Sequence, residues 1–479
     1  MRAAADGGRA AFLFVLDPGI LDRRHHEAPP RLRFLRAGLE ALDRDLKDRG
    51  SRLIVRHGRP ELVVPQVAHE TKADVVTWTR EVSPLGRARD ERVRAALEEA
   101  RLAVDEVAGD QVAETGDLPG SSGHGYLVFT PFSRVWRDLP LPEHVAAPAT
   151  IRSPRVTGDD LGRLPSGDPP IEAGWAAARR RLVRFIRDGD ADRYGEARDL
   201  PGEDATSHLS AYLRFGMCTG PQIGRALGLP GRRTKGREAF WRQICWREFY
   251  HHHLARHPEI LRTALRPEFR RIRWEDDDAG LAAWTRGETG FPLVDAGMRQ
   301  LAQDGWIHNR VRMVVASFLV KDLLVDWRRG ETVFMQGLVD GDPANNNGGW
   351  QWIAGTGTDA APYFRVLNPV LQSRRFDPDG VYIRRYVAEL RDVPDAHIHE
   401  PWRMGDEEQR GAGCRIGRDY PAPLVDHKER RELTLERYGR ARGGQPPRRG
   451  YAARARSPRR RGMSSGTTRR PSTFATAWR

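Results

Sequence analysis

The stretch EAFWRQICWREFYHHH, residues 238–253, is the richest helix signal in the chain. Gln243, Trp246, Arg247 and Tyr250 recur there at i, i+3, i+4 and i+7, so they share one face of the predicted helix. An amide, an indole, a guanidinium and a phenol on one face suit a planar, hydrogen-bonding ligand such as a flipped base, because aromatic faces stack and Arg pairs with phosphate. A half-buried amphipathic helix is the alternative, since aromatic stripes usually belong to a core.

Helical periodicity continues on both sides of this stretch, from Trp175 to about Glu400. Eight of the 13 tryptophans lie between Trp241 and Trp352. The sequence therefore predicts a mostly α-helical domain over residues 175–439.

The N-terminal part has a different pattern, in which short apolar runs alternate with helical periodicity. The predicted strands are Phe12–Leu16, 52–56, 74–78 and Ala103–Val107, and the predicted helices between them are 31–47, 60–70 and 85–100. Such alternation is typical of βα units around a parallel sheet, although no GxGxxG motif follows a strand. We predict a Rossmann-like α/β domain over 1–140 and an interdomain linker over 141–174.

The formal charge of +14 is concentrated at the C-terminal end. Residues 440–479 contain 12 arginines and no acidic residue, which leaves about +2 for the rest of the 479 residues. We expect this Arg-rich tail to be disordered. Any basic DNA-binding surface on the folded part must be a local patch.

The three cysteines, Cys218, Cys245 and Cys414, are far apart and form neither a disulfide framework nor a CxxC pair. No apolar run is long enough to span a membrane, and no signal peptide pattern follows Met1. We therefore expect a reducing, cytoplasmic location. Nothing in the sequence suggests more than a monomer.

Two stretches resemble metal-binding sites, but the direction of their side chains or the residues at key positions argue against metal binding. His251, His252 and His253 are consecutive, so on a helix they point in three directions, and a solvated cluster is expected. Residues 340–352, DGDPANNNGGWQW, resemble a calcium loop but carry Asn345 at the sixth position, where Gly is needed. We predict no metal site, and interpret the second stretch as loop and helix-cap chemistry suited to a large polar heteroaromatic ligand, or as an ordinary capped loop.

Five ordered motifs together identify a family. They are FWRQICWREFY (240–250), TGFPLVDAGMRQL (289–301), GWIHNRVRMVVASFLVKDLLVDWRRGE (305–331), LVDGDPANNNGGWQW (338–352) and GTDAAPYFRVLNP (357–369). They strongly resemble the photolyase and cryptochrome family, and within it the class I photolyases for cyclobutane pyrimidine dimers. The resemblance is nearly continuous from about Phe12 to Tyr438.

The resemblance implies an α/β antenna domain and a helical domain that holds FAD, reduced in the active form. The residues that match the family's FAD contacts are Tyr194, Thr206, Ser207, His208, Leu209, Ser210, Phe240, Arg247, Asp340, Gly341, Asp342 and Asn346. Asn346 matches the residue that faces flavin N5, where photolyases use Asn, plant cryptochromes tend to use Asp and animal ones Cys. This residue favours repair over signalling.

The resemblance also implies the substrate and an electron path. Trp246 and Trp352 match the aromatic platform for the flipped dimer, and Arg198, Gln243, Tyr250, Asn309 and Met313 match other DNA or substrate contacts. Asn309 and Met313 stand where photolyases for six-four photoproducts carry a His pair, so dimer repair is expected. Trp350, Trp327 and Trp274 match, outward from the flavin, the tryptophans that reduce oxidised FAD under light.

Three departures from the family pattern are expected to matter. The family's dimer-binding Glu is Gln243 here, which predicts reduced but not abolished repair. The chain begins after the family's first strand, which suggests truncation or a misplaced start, and the Arg-rich tail is unusual. Leu85 and Gly86 replace the Asn-Glu pair of folate-binding members, so folate is disfavoured, and the antenna is a deazaflavin, a second flavin or none.

The function predicted from these features is light-driven repair of pyrimidine dimers in DNA by a carbon–carbon lyase. Two alternatives stay open at this point. One is a cryptochrome-type blue-light receptor that signals through a partner. The other is a defective homologue that binds DNA through its tail without repairing it, which predicts little bound FAD and salt-dependent, lesion-blind binding.

Overall fold

The computed structural model describes residues 8–443 except 23–27, 108, 110, 115–117, 119, 121–124, 232 and 360–364. The tail predicted over 440–479 therefore lies outside the described residues from 444 onward. In the part that is described, an α/β region precedes a mostly helical region, as the sequence predicts.

The strands form two parallel pairs. Strand β1 (Phe12–Leu16) pairs with β2 (Leu53–His57), and β3 (Val75–Thr79) pairs with β4 (Ala103–Val107). All four predicted strands are present, β2 and β3 each one residue later than expected. Within the described residues no hydrogen-bonded ladder joins β1 to β3, so the parallel sheet is divided into two two-stranded parts.

The helices of the α/β region begin with residues suited to their first turns. They are α1 (Pro18–Leu21), α2 (Pro29–Lys47), α3 (Pro60–Thr71), α4 (Pro84–Glu99) and α5 (Phe129–Arg137). Proline is favourable in the first turn because its missing N–H has no helical partner there. Ser83 caps α4 by accepting a hydrogen bond from the Gly86 N–H.

The segment predicted as a linker packs against the α/β region. The Ile151 N–H donates to the Arg49 carbonyl at 2.7 Å, and the Asp159 N–H donates to the Val55 carbonyl at 2.8 Å. Leu164 is buried in the same apolar cluster as Leu16. The chain therefore runs along β2 before it enters the helical region.

The helical region contains a long series of helices joined by turns and by several longer connections. They are α6 (Trp175–Arg187), α7 (Asp190–Ala197), α8 (Ser210–Arg214), α9 (Gly220–Ala226), α10 (Lys235–Arg256), α11 (Asp278–Arg286), α12 (Pro292–Asp304), α13 (Asn309–Ser317), α14 (Trp327–Gly337), α15 (Pro343–Ala354), α16 (Pro369–Phe376), α17 (Val381–Tyr386), α18 (Asp406–Gly411) and α19 (His427–Ala441). Helix α10 packs against α5, α7 and α15, and the largest apolar core surrounds α12 and α13.

Most of the stretch 340–352 is helix rather than loop. Asp342 is the N-cap of α15, because its side chain accepts a hydrogen bond from the Asn345 N–H at 2.8 Å and Pro343 opens the first turn. The cap chemistry was predicted correctly, but the asparagines and glycines that suggested a loop continue the helix. No cluster of three or more potential metal ligands occurs among the described residues.

The prediction that His251, His252 and His253 form a solvated cluster is wrong, since all three are buried. The reason is that α10 is enclosed on several sides. His251 forms hydrogen bonds with Gln111 and Asp342. Nε2 of His252 lies 3.3 Å from the main-chain carbonyl of Ala113 in the N-terminal part of the chain. The three cysteines are free and buried, and no helix of the described chain is long and apolar enough to cross a membrane.

Candidate functional site

One cavity lies among α7, α10, α13 and α15. It is lined by all the residues whose family counterparts contact FAD, namely Tyr194, Thr206, Ser207, His208, Leu209, Ser210, Phe240, Arg247, Asp340, Gly341, Asp342 and Asn346. It is also lined by all those matched to DNA or substrate contacts, namely Arg198, Gln243, Trp246, Tyr250, Asn309, Met313 and Trp352. Residues separated by more than 150 positions in sequence therefore meet around a single space.

Asp340 is a buried acceptor on the wall of this cavity. One carboxylate oxygen receives a hydrogen bond from Arg312 at 2.8 Å. The other, Oδ1, is buried and has no hydrogen-bond partner among the described residues. Because an unsatisfied buried carboxylate oxygen is costly, Asp340 is arranged to accept a hydrogen bond from a ligand in the cavity.

Asp342 is held as a carboxylate beside Asp340. Burial alone would raise its pKa, but His251, Arg214 and other positive neighbours hold the pKa well below its usual value. His251 Nε2 lies 3.3 Å from both carboxylate oxygens. Asp342 therefore stays charged while it caps α15 and faces the cavity.

Gly341 lies close to an arginine of the α/β region. A Cβ on Gly341 would lie 2.3 Å from Nη1 of Arg31, which donates to the Met335 carbonyl at 2.7 Å. Burial and the positive charge of Arg214 lower the pKa of Arg31 to about 10. Arg31 thus connects helix α2 to the wall of the cavity.

The turn before α8 presents polar groups to the same cavity. Thr206, Ser207 and Ser210 carry hydroxyls, and His208 has a left-handed backbone with φ of 50°. The His208 ring is held by Asp204 at 2.8 Å. Hydroxyls and backbone N–H groups in such a turn can hold phosphate oxygens.

Asn346 is oriented by a neighbouring helix. Its Nδ2 donates one hydrogen bond to the main-chain carbonyl of Glu331 at 3.0 Å, which leaves the amide oxygen and the second N–H available to a ligand. Burial raises the pKa of the Glu331 carboxyl to about 8, although Asn347 donates to it at 3.1 Å. At neutral pH the Glu331 carboxyl near Asn346 is therefore protonated and uncharged.

Trp246 forms an aromatic wall that the α/β region supports. Its ring stacks on Phe129 of α5 with centroids 3.7 Å apart and planes 5° apart, and Tyr250 lies 5.5 Å away on the same helix face. A Cβ on Gly348 would lie 2.2 Å from the Tyr250 ring, so glycine allows α15 to approach α10. Phe129 thus supports the indole of Trp246 where it lines the cavity.

Three other residues matched to DNA or substrate contacts also line the cavity. Gln243 donates from Nε2 to the Ala239 carbonyl of its own helix at 3.2 Å. Asn309 is exposed, and its amide lies 3.9 Å from the sulfur of Met313. The guanidinium of Arg198 lies 6.0 Å from the Tyr194 ring centroid.

The three tryptophans matched to an electron path differ in their position. Trp350 lines the cavity, whereas Trp327 and Trp274 do not. A Cβ on Gly330, in the first turn of α14, would lie 2.2 Å from the Trp350 ring, which places the start of that helix against Trp350. The Glu275 N–H donates to the Leu324 carbonyl at 2.8 Å, so Trp274 lies beside the segment that leads into Trp327.

Sequence reasoning missed several residues of this site. Arg312 lies three positions after Asn309 and so shares its helix face, a signal that was present in the sequence. Arg31, Arg214 and Phe129 reach the site from other elements, and no local pattern marks them. His251 supports Asp342 although its triplet suggested solvent exposure.

Family models and known proteins resemble this chain over most of its length. A family model described as the FAD binding domain of DNA photolyase matches residues 240–440, and one described as DNA photolyase matches residues 1–149. The chain is 42% identical over 454 residues to deoxyribodipyrimidine photo-lyase of Halobacterium salinarum, which covers 91% of this chain and 93% of that protein.

Two solved structures have the same fold. A bacterial class III photolyase from Agrobacterium tumefaciens is 36% identical in sequence and superposes with a TM-score of 0.86. The match covers 92% of this chain and 94% of that structure. A cryptochrome from Synechocystis is 28% identical in sequence and superposes with a TM-score of 0.82. The match covers 91% of this chain and 94% of that structure.

Proposed function

This chain belongs to the DNA photolyase family, and on that premise we propose that it repairs cyclobutane pyrimidine dimers in DNA under light, as a carbon–carbon lyase that uses FAD. The observation that carries the proposal is the single cavity that holds both matched sets of residues. Trp246 and Trp352 lie on the same cavity as Asp340 and Asn346, so a flipped lesion and a flavin bound there would be neighbours.

The residues present fit FAD. Asp340 offers an unpaired acceptor to a ribityl, ribose or flavin donor, and Arg247 and Arg214 bring positive charge suited to a pyrophosphate. Phe240 and Trp350 supply apolar walls. Bound in its reduced form, FAD supplies the photoexcited electron that opens the cyclobutane ring and receives it back.

The lesion-side residues position the dimer. The rings of Trp246 and Trp352 stack on the flipped pyrimidines, and Asn309 at the mouth offers an amide to a base edge. Arg198 pairs with a phosphate of the damaged strand. None of these groups needs to transfer a proton, which suits a reaction that breaks carbon–carbon bonds after electron transfer alone.

Asn346 keeps proton transfer away from the reacting centre. An amide has no proton to release at neutral pH, and the hydrogen bond from its Nδ2 to the Glu331 carbonyl fixes the orientation of the Asn346 side chain. Trp350 lines the cavity, and the family resemblance implies that Trp327 and Trp274 follow it outward, so this series would be the path by which electrons reach a bound cofactor. Gln243, a neutral amide, replaces a carboxyl group and lowers the efficiency of splitting.

Photoreactivation in cells tests this function. The chain is expressed in a bacterial strain that lacks photoreactivation, and survival after ultraviolet irradiation is compared with and without blue light. We expect light-dependent survival that a Trp246→Ala variant loses in part. Equal survival in light and darkness, with FAD-loaded protein present in the cells, would contradict the proposal.

The likeness to the Synechocystis cryptochrome makes a blue-light receptor the second candidate. Its sequence identity is lower than that of the Agrobacterium photolyase, 28% against 36%. A receptor needs no lesion preference. Saturable preference for dimer-containing over undamaged DNA, measured in the dark, therefore separates the two functions.

A further inference from the structure

Helix α2 of the α/β region reaches the wall of the cofactor cavity, and the reaction proposed above assigns it no role. Its Arg31 is only 7% exposed, although arginine is rarely buried without partners. Nη1 of Arg31 donates to the Met335 carbonyl at 2.7 Å and lies 3.3 Å from the Leu338 carbonyl, which it also meets as a donor. These two hydrogen bonds join elements that are more than 300 positions apart in the sequence.

Arg31 caps the C-terminal end of α14. Leu338 is the C-cap residue of this helix, and its last turn contains no basic residue. The last carbonyls of a helix have no intrahelical donor and carry a partial negative charge, so a cation placed there is favourable. Arg31 therefore supplies from α2 the cation that α14 itself lacks.

The turn that follows α14 carries two acids of the cofactor cavity, Asp340 and Asp342. Gly341 lies between them, and a Cβ there would be 2.3 Å from Nη1 of Arg31. Arg214 of α8 donates to the Gly341 carbonyl at 3.1 Å. The turn is therefore held by two arginines, one from the α/β region and one from the helical region.

The charge of Arg31 also acts on this turn. Burial and the positive charge of Arg214 lower the pKa of Arg31 to about 10, while Asp340 acts in the opposite direction. Arg31 is therefore protonated at neutral pH. Attraction between its charge and the Asp340 carboxylate adds to the hold that the hydrogen bonds have on the turn.

Helix α2 packs against the opposite part of the cofactor site as well. Phe34 follows Arg31 by one turn and is fully buried, so the two residues share a face of α2. The Phe34 ring lies 5.5 Å from the Tyr212 ring and 5.6 Å from the Phe215 ring, measured between centroids. Tyr212 belongs to α8, which follows directly on the polar turn that contains Ser207. One face of α2 thus contacts both segments that carry the predicted FAD contacts.

We propose that Arg31 is a positioning residue for the cofactor, which fixes the turn 338–342 so that Asp340 presents Oδ1 to bound FAD. This proposal rests on the proposed function, of which it uses the FAD site and not the reaction. FAD binding and the packing of α2 on the helical region are then coupled. The coupling is reciprocal, because it is a difference in free energy shared by both equilibria.

FAD affinity tests the positioning role. The full-length protein is freed of flavin and titrated with FAD in the dark, with flavin fluorescence as the signal. Arg31→Met removes the charge and the donors, and we expect it to weaken FAD binding by about tenfold. Arg31→Lys keeps the charge at the helix end and should retain most of the affinity.

Arg36→Met is the matched control. Arg36 lies on the same helix and also donates to main-chain carbonyls, but its partners are Leu161 and Leu164, in the segment that packs on the α/β region. The variant therefore removes a comparable arginine without touching the turn at Gly341. We expect its FAD affinity to equal that of the wild type.

Two further readouts separate positioning from a general loss of stability. If Arg31 acts through Asp340, Arg31→Met should weaken FAD binding by less than about twofold when Asp340→Asn is already present, because the two effects are then not additive. In amide hydrogen exchange, FAD should slow exchange in α2 of the wild type. This protection should be lost in Arg31→Met and kept in Arg36→Met.

The outcomes distinguish this proposal from the function on which it rests. Absence of dimer splitting by FAD-loaded wild-type protein would reject dimer repair and leave the positioning role standing. The positioning role is wrong if Arg31→Met binds FAD as tightly as the wild type, if Arg36→Met or Arg31→Lys loses as much affinity, or if the loss is undiminished beside Asp340→Asn. Should Arg31→Met yield no folded protein, Arg31→Gln, which keeps an amide donor, takes its place in the same comparisons.

Discussion

Phe129 and Trp246 stack face to face, with ring centroids 3.7 Å apart and an angle of 5° between the ring planes. Phe129 begins α5 in the N-terminal part of the chain, and Trp246 lies in the middle of α10. One face of the indole is therefore packed against protein. The position of Trp246, the proposed platform for the lesion, thus depends on the α/β region as well as on the helical region.

Removing the indole should weaken lesion binding. Stacking on an aromatic side chain contributes about 1–3 kcal/mol per base, so Trp246→Ala is expected to raise the dissociation constant for dimer-containing DNA by about 10- to 100-fold. Titration of a fluorescent oligonucleotide in the dark measures this. Trp246→Phe keeps a ring against Phe129 and should retain most of the affinity. Unchanged binding by the Ala variant would exclude the platform role.

Removing the Asp340 carboxylate should release the cofactor. Hydrogen bonds to charged groups contribute about 1.5–3 kcal/mol, so Asp340→Ala is expected to weaken FAD binding by about 10- to 100-fold. It also leaves Arg312 without its carboxylate partner. The ratio of flavin to protein absorbance after gel filtration reports the loss. Asp392→Ala, an exposed aspartate far from the cavity lining, is the control; equal flavin content in both variants would contradict the assignment.

Gln243 should limit repair, because a neutral amide replaces a carboxyl group that can stabilise the dimer radical. We expect Gln243→Glu to raise the number of dimers split per absorbed photon and Gln243→Ala to lower it severalfold. Both are compared at equal FAD content under limiting light. A yield that does not change in Gln243→Ala would show that the side chain has no part in splitting.

The sequence was sufficient for the features that depend on local spacing. The strand Phe12–Leu16 follows from a short continuous apolar run, and the common face of Gln243, Trp246, Arg247 and Tyr250 follows from a period of 3.6 residues. Family motifs located the residues that line the cavity, because those motifs keep their order and spacing. Asp342 was recognisable as a helix cap from its chemistry alone.

Long-range packing could not be predicted in this way. The burial of His251 depends on Gln111 and Asp342, which lie 140 and 91 positions away. The contact of Arg31 with the main chain near Gly341 spans about 300 residues and has no local signature.

Photoreduction should be separable from repair at Trp350, the tryptophan of the series that lines the cavity. Trp350→Phe is expected to slow light-driven reduction of oxidised FAD by at least tenfold, because the inner step of electron transfer is lost. Repair by protein that has been reduced chemically beforehand should change little. Absorbance at 450 nm under blue light with an external reductant follows the first reaction. Trp402→Phe, which packs on Phe291 outside the series, should behave as the wild type.

Glu331 should make stability depend on pH. Its pKa is raised to about 8 in the folded protein, above the ordinary value near 4.5 that applies when the chain is unfolded. Between these values the unfolded chain releases a proton that the folded protein retains, so stability falls as pH rises from about 4.5 to 8. Glu331→Gln cannot ionise, and its Tm should decline less than that of the wild type over this interval. Parallel declines in both proteins would show that Glu331 is not the titrating group.

Light-dependent recovery of thymine absorbance tests the central claim most directly. The purified protein, loaded with FAD and reduced without oxygen, is mixed with a short single strand that contains one thymine dimer and is illuminated with blue light. We predict recovery that requires both light and protein, and that falls in Trp246→Ala at subsaturating substrate. No recovery from the FAD-loaded, reduced wild-type protein would contradict the assignment of this cavity to dimer repair.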